Sequence, residues 1–169
     1  MPQITIEYMI MIPILIMQIF LFPLTAGWIM NTWVDSRRTL ALQETASHLG
    51  SSIQQIYASL NHATISQGTV TNKLDVPPFI EGYAYSGTAT LRTLGANSSA
   101  NSSQVLDITL RLMGANIEAL SSVTLGQNVE WTQSSVLNSN SSLAGMNAQK
   151  YWNGTRAEYV IRLSFGGSG

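Results

Sequence analysis

A run of 27 consecutive residues without a charged side chain, residues 8–34, constrains this chain more than any other feature of its sequence. A helix rises about 1.5 Å per residue and roughly 20 apolar residues span a bilayer, so the run can cross a membrane as one helix. It differs from a secretory signal peptide, which has basic residues before a shorter apolar core and a small-residue cleavage site behind it. Pro13 and Pro23 lie inside the run, where they either kink the helix or are tolerated without a special role.

The helical pattern continues beyond this run. Seven apolar residues recur at alternating intervals of four and three, which places them on one stripe of a helix. They are Leu42, Ala46, Leu49, Ile53, Ile56, Leu60 and Ala63. Polar residues such as Gln43 and Gln54 occupy the opposite face. This part of the helix is therefore predicted to be buried on one side and exposed to solvent on the other. One helix is therefore expected over residues 5–61.

From Gly68 onward, apolar and polar residues alternate as is typical of strands. Strands are predicted over residues 70–74, 83–91, 105–113, 117–125, 129–137 and 158–165. Residues 114–116 predict a hairpin turn, and the Pro77-Pro78 pair marks a bend that cannot lie in the middle of a strand. Polar, low-complexity loops are predicted at residues 95–103 and 138–142.

These patterns predict an α+β fold in two domains. Residues 1–64 form a long hydrophobic N-terminal helix, with an assembly or membrane segment at 8–34 and an amphipathic part at 35–64. Residues 65–169 form a head domain, an antiparallel β-sandwich of Ig-like type with six or seven strands.

The composition argues against several classes of function. Eight Lys and Arg residues against nine Asp and Glu give a net charge of -1 without a basic cluster, so a nucleic-acid partner is disfavoured. The absence of cysteine removes thiolate metal sites, disulfides and thiol catalysis. His48 and His62 have no third ligand at metal spacing, and the acidic residues are scattered without a nucleophile or phosphate-loop motif. We therefore predict no catalytic residue, no metal site and no cofactor apart from glycans.

Four Asn-x-Ser/Thr triplets are candidate sites of N-glycosylation, and all of them fall in predicted loops of the β domain. The acceptors are Asn97, Asn101, Asn140 and Asn153. Chance is the competing explanation, because the chain is rich in Ser, Thr and Asn. Attached N-linked glycans would place these residues on the outer side of a membrane and would supply the solubility that 10 % charged residues do not.

Glu7 borders the apolar run. A bare carboxylate in hydrocarbon is costly, so Glu7 is expected either at the membrane interface or opposite a positive charge of another chain. Residues 3–8 read QITIEY and residues 74–83 read LDVPPFIEGY. The first segment resembles the start of archaeal type IV pilins, in which the leader is cut before a Gln and Glu is the fifth mature residue; counting from Gln3, Glu7 is fifth. The second segment resembles the Pro-then-Gly-Tyr entry into the head strands of these pilins.

The resemblance implies a structural subunit, not an enzyme, that polymerises through its helix into an extracellular archaeal pilus used for adhesion or surface attachment. It implies Gln3 and Glu7 as the processing and assembly residues. The implied partners are identical subunits in a helical filament, a prepilin peptidase and a membrane assembly machinery, with the cytoplasmic membrane as the location before assembly. Arg37 and Arg38 follow the apolar run, and a basic leader that is later removed would set the orientation against them.

The alternative is a single-pass, membrane-anchored binding domain at the cell surface, in which the helix only tethers. An anchor needs only ~20 apolar residues. The additional stripe and the spacing of Gln3 and Glu7 favour the filament.

Overall fold

The computed structural model describes residues 3–94, 103–142 and 144–166, with side chains from Tyr8 onward. Within these residues, helix α1 (Gln3–Leu60) precedes eight strands. The strands are β1 (Gly68–Lys73), β2 (Tyr85–Thr93), β3 (Gln104–Leu112), β4 (Glu118–Leu125), β5 (Val129–Trp131), β6 (Leu137–Asn138), β7 (Gly145–Asn153) and β8 (Glu158–Phe165). The chain divides into two compact units, Met1–Arg37 and Arg38–Gly169, and α1 contributes to both.

The described strands form two four-stranded sheets. The first sheet has the order β1-β7-β8-β5 and is antiparallel except for β5, which pairs in parallel with β8. The second sheet has the order β4-β3-β2-β6 and is antiparallel throughout. The predicted α+β class, a long apolar helix followed by antiparallel-rich sheets, is confirmed.

The two-residue period of the strands determines which side chains are buried. In β3, Leu106, Ile108 and Leu110 are fully buried, whereas Asp107 and Thr109 between them are only half-buried on the opposite face. A slip of one residue would exchange these two faces, so the apolar alternation fixes the register of β3 against its neighbours.

The second part of α1 completes the core of the unit Arg38–Gly169. Six residues of the predicted stripe are buried in one cluster with inward-facing residues of both sheets: Leu42, Ala46, Leu49, Ile53, Ile56 and Leu60. A Cβ at Gly50 would lie 2.8 Å from Val123 Cγ2, so glycine allows the helix to lie this close to β4. The Gln43 side chain also donates from Nε2 to the carbonyl oxygen of Leu120 in β4, at 2.8 Å. Burial of the stripe is thus confirmed at these six positions.

Two predictions about the elements were too simple. Ala63 is exposed, because α1 ends at Leu60 and the stripe ends with it. The single strand predicted over residues 129–137 is two strands, β5 and β6, which belong to different sheets.

The predicted turn at 114–116 is confirmed: Gly114 has a φ of 92°, and the Leu112 N–H donates to the Ile117 carbonyl at 3.0 Å.

Strand β7 was not predicted, and the loop at 138–142 is less solvated than expected. The inward positions of β7 include Lys150, which interrupts the apolar alternation and is only 5 % exposed. Its Nζ donates to the carbonyl oxygen of His62, beyond the end of α1, at 3.1 Å. Ser139 is also buried: its Oγ accepts from the Tyr85 N–H at 2.9 Å and donates to the Pro78 carbonyl at 2.8 Å. Buried polar groups with hydrogen-bond partners therefore replace apolar residues at these two positions.

Carboxylates on the outer faces of the sheets are held in hydrogen-bonded pairs. Asp107 accepts from Arg92 Nη2 at 3.2 Å and from Ser122 Oγ at 2.7 Å, and these bonds hold the pKa of Asp107 below its usual range. Glu130 accepts from the Tyr151 hydroxyl at 2.7 Å, and this bond, together with Arg162, lowers the pKa of Glu130. Both carboxylates are thus better stabilised in the folded chain than in the unfolded one.

The lowered pKa values predict that acid weakens the fold. Both groups contribute stability above their unfolded pKa values of about 4, and this contribution is lost as the pH falls through the lower folded values. Asp107→Asn should reduce the pH dependence of the free energy of unfolding below about pH 4, by at most about 1 kcal/mol at this partly exposed site. Denaturant titrations at a series of pH values would measure it. Glu118→Gln, in a more exposed pair with Arg111, is the control; equal slopes for both variants and the parent would contradict the prediction.

Candidate assembly surface

The first part of α1, in the unit Met1–Arg37, has an almost entirely exposed apolar surface. Met9 is 78 % exposed, Phe22 76 % and Trp28 72 %. From residue 8 to residue 37, only Ala26 and Val34 are even half-buried. Soluble monomers rarely expose contiguous apolar patches larger than a few hundred Å², and larger ones mark contacts with proteins or membranes. We call residues 8–34 of α1 the assembly surface.

The same segment meets the length and composition required to cross a membrane. The helix Tyr8–Leu60 contains an 18-residue window with a mean hydropathy of 2.2, and none of that window is buried. The core helix of a soluble protein can have the same length and composition, but most of such a helix is buried. The exposure distinguishes this segment from the stripe of α1 that packs on the sheets.

The two threonine hydroxyl groups within the assembly surface donate to carbonyls of the helix itself. Thr25 Oγ1 donates to the carbonyls of Leu21 and Phe22, each at 3.0 Å. Thr32 Oγ1 donates to the Trp28 carbonyl at 2.9 Å. Such bonds allow a polar side chain to enter apolar surroundings without an unsatisfied donor.

Two amide side chains in the assembly surface differ from these hydroxyls. Gln18 and Asn31 are exposed, and neither makes a hydrogen bond to the described residues. Each amide carries two donors and one acceptor. In hydrocarbon or between apolar helices, these groups would need partners from outside the segment.

Pro23 removes one backbone hydrogen bond of the helix close to one of these amides. Proline has no N–H, so the carbonyl of Ile19, four residues earlier, lacks its α-helical donor. A groove of about 610 Å³ lies at this point. Its lining consists of Leu15, Gln18, Ile19, Leu21, Phe22, Pro23 and Thr25. A glutamine five residues before a proline within an apolar run is the only sign of this groove in the sequence.

The two predicted assembly residues lie at the start of α1. Gln3 is the first residue of α1 and Glu7 lies about one turn later, but their side chains are outside the described part of the structure. Asn97 and Asn101 also lie outside the described residues.

Two of the four candidate glycosylation sites can be located. Asn140 is exposed in the loop after β6. Asn153 is the last residue of β7 and is half-buried, and its Oδ1 accepts from the N–H of Thr155 at 3.0 Å and from that of Arg156 at 3.4 Å. The position of Asn153 at a strand end, instead of inside a loop, corrects one detail of the prediction.

Among the described residues, no group of three or more His, Cys, Asp or Glu side chains could hold a metal ion. His48 is exposed, and His62 Nδ1 lies 2.8 Å from Thr64 Oγ1. Comparison of the chain with protein-family models, with curated proteins and with solved structures finds no match. The residues of the chain itself, above all the assembly surface, are therefore what supports a function.

Proposed function

We propose that this chain is the structural subunit of an archaeal type IV pilus and that it polymerises through the assembly surface. The observation that supports this proposal most is the exposure of residues 8–34 in a chain whose other unit, Arg38–Gly169, has a core of its own. Side chains such as Met9, Phe22 and Trp28 need an apolar environment from outside their own unit. The same helix in other copies of the chain provides such an apolar environment.

A filament core can replace the lipid around such a helix. Lipid tails and leucine side chains are similarly apolar, so moving the helix from a bilayer into a bundle changes the hydrophobic free energy little. Packing and hydrogen bonds between helices then decide whether the bundle holds together, and an assembly machinery in the cytoplasmic membrane extracts the subunits. The finished pilus is extracellular, lies at the cell surface and serves adhesion; the proposal gives the chain no enzymatic role.

In this proposal a prepilin peptidase makes Gln3 the mature N-terminus. Its ammonium group then pairs with the Glu7 carboxylate of the same or a neighbouring subunit in the apolar bundle. Breaking a buried ion pair on one side costs about 3–5 kcal/mol, because the remaining charge is left without a partner. The two sheets of the Arg38–Gly169 unit form the head, which we propose to be a sandwich of Ig-like type.

A membrane-anchored binding domain at the cell surface is the second candidate. The length and hydropathy of the apolar segment support it, since a single helix of this kind can cross a bilayer alone. In that case the helix is surrounded by lipid and has no specific contact with other copies.

Crosslinking separates the two candidates. The chain has no native cysteine, so single cysteines at Ile16 and Phe20 report only designed contacts. In material purified from the native surface, we expect electron microscopy to show rods of uniform width and oxidation to give crosslinks between chains at both positions. The same variants dissolved in excess detergent are the control for random collision. Absence of rods, with crosslinking no higher than in that control, would favour the anchor.

Glycosylation gives an independent prediction. Sugars at Asn97, Asn101, Asn140 and Asn153 should cover the outside of the pilus, where the sparse charges of the head leave it in need of solubilising groups. We expect glycopeptide mass spectrometry of native pili to find sugars at two or more of these residues, and heads made without glycans to be less soluble. Four unmodified asparagines in native pili would rule this out.

A further inference from the structure

A groove of about 560 Å³ lies in the Arg38–Gly169 unit at the C-terminal end of α1. It is lined by Tyr57 and Asn61 from the end of the helix, by the loop between β4 and β5, and by Lys150 and Tyr159 from β7 and β8. We call it the helix-end groove. Its volume is within the range of about 300–1,000 Å³ that is usual for small-molecule sites.

One wall of the helix-end groove is held by hydrogen bonds between side chains. The Tyr57 hydroxyl donates to Asn128 Oδ1 at 3.0 Å. Asn128 Nδ2 donates to Asn61 Oδ1 at 2.9 Å and to the Tyr159 carbonyl at 3.3 Å. A Cβ at Gly126 would collide with the Tyr57 hydroxyl, so this arrangement requires glycine there. The wall is thus in place before a ligand arrives, which lowers the free-energy cost of binding.

Three polar groups of the groove keep hydrogen-bonding capacity that the described residues do not use. Lys150 is only 5 % exposed, and its ammonium group donates one hydrogen to the His62 carbonyl and lies 5.5 Å from the centroid of the Tyr159 ring. Within the described part of the chain, the other two hydrogens of the ammonium group have no acceptor. The Glu158 carboxylate and Asn61 Nδ2 likewise have no hydrogen-bond partner among these residues. The groove therefore presents both donors and an acceptor to a ligand.

We propose that the helix-end groove binds a neutral saccharide. Sugar hydroxyls both donate and accept, so one ligand can bind to Lys150 and Glu158 together. An inorganic anion would be attracted by Lys150 but repelled by Glu158, and the reverse holds for a metal cation. An apolar ligand would cover both charges without giving either a partner, which is costly. The rings of Tyr57 and Tyr159 offer apolar surface to the C–H groups of a sugar ring.

A site of this kind goes beyond the proposed function, because it would serve a pilus and a membrane-anchored domain alike. In a pilus it would make carbohydrate the class of surface to which the filament attaches. Binding is measured on the solubilised full chain, which needs no filament. Its failure would therefore leave the proposed assembly untouched, and absence of rods would leave the saccharide site untouched.

Saturation-transfer NMR on the full chain, in micelles of a detergent without a sugar headgroup, tests the site. The probes are maltotriose, cellotriose and mannotriose, which are neutral and differ in their sugars and linkages. We expect transfer to at least one of them. Glu158→Ala should weaken its binding about tenfold or more, because a hydrogen bond to a charged group is lost.

Lys150→Met should weaken binding by a similar factor. Because this change also removes the hydrogen bond to the His62 carbonyl, circular dichroism is used to check that the variant folds. If it does not fold, the result for Glu158→Ala decides alone.

Glu118→Ala is the matched control. Glu118, like Glu158, is the first residue of a strand, but it pairs with Arg111 at 3.5 Å and lies outside the groove. Its binding should equal that of the parent chain. Transfer to none of the trisaccharides, undiminished binding by Glu158→Ala, or an equal loss with Glu118→Ala would each overturn the proposal.

Chains made with and without N-glycans distinguish two sources of the saccharide. Equal binding of the added trisaccharide by both chains would indicate a saccharide from outside the protein. Binding only by the chain without glycans would indicate that the groove takes glycans carried by the chain itself or by a neighbouring copy.

Discussion

A chain shortened to residues 38–169 should fold in plain buffer and remain monomeric, whereas the full chain should require detergent or assemble. The shortened chain retains the buried cluster formed by the second part of α1 and both sheets. It loses the exposed apolar residues of the assembly surface. Transfer of each of these side chains out of water is favourable by about 1.5–3 kcal/mol. Analytical ultracentrifugation would give the mass in solution, and circular dichroism would report a cooperative thermal transition.

A longer truncation is the control for this experiment. A chain that starts at residue 61 lacks the buried stripe, including Leu42, Leu49 and Ile53, and should not fold cooperatively because both sheets lose their helical cover. Aggregation of the 38–169 chain would show that apolar surface outside residues 8–34 also needs a partner. Folding of the 61–169 chain would show that the stripe is dispensable. Both results would contradict the division of the chain into an assembly surface and a self-sufficient head.

The helical part of this fold could be predicted because its signals are local. The interval of four and three residues that runs from Leu42 to Leu60 reports one face of a helix without reference to any other element. The hairpin between β3 and β4 is equally local, since two alternating segments flank Gly114. The end of the stripe was misplaced because Ala63 continues the spacing, although the helix ends at Leu60.

The strand that was predicted over residues 129–137 shows where local reasoning fails. Val129, Trp131 and Leu137 are all buried and an even number of residues apart, so their spacing fits a single strand, although the intervening Gln133 is exposed. A turn separates the two strands, and in it the Ser135 N–H donates to the Thr132 carbonyl at 3.0 Å. Membership of different sheets depends on pairing with β8 in one case and β2 in the other, and no short segment contains that information.

Strand β7 and the groove at Pro23 escaped prediction for a different reason, because each depends on a polar residue in an apolar setting. Lys150 takes an inward position in β7 since the carbonyl of His62, 88 residues away in sequence, accepts its hydrogen bond. The polarity of Gln18 is evident from the sequence. The groove that Gln18 and Ile19 line together is evident only from the structure. Hydrophobic patterns predict which residues form the core, whereas the surroundings of such polar residues are evident only from the three-dimensional structure.

Ile53→Asp in the 38–169 chain should abolish cooperative folding. Ile53 is 0 % exposed, in the middle of the stripe that packs against the sheets. The substitution removes apolar burial of roughly 2–5 kcal/mol and places a carboxylate without a partner in the core, at a further cost of several kcal/mol. Together these terms approach the whole stability of a typical domain, about 5–15 kcal/mol. Thermal unfolding followed by circular dichroism would show the loss of the transition.

Gln54→Asp separates this effect from the low helix propensity of aspartate. Gln54 is the next residue of α1 and is exposed, so it bears the same propensity change without the burial. We expect its free energy of unfolding to stay within about 1 kcal/mol of the parent. If the Ile53→Asp and Gln54→Asp chains melted at similar temperatures, the stripe would not be part of the core. If Ile53→Asp alone unfolds, the helix is an internal part of the head, and the head can keep its structure while residues 8–34 exchange one apolar environment for another.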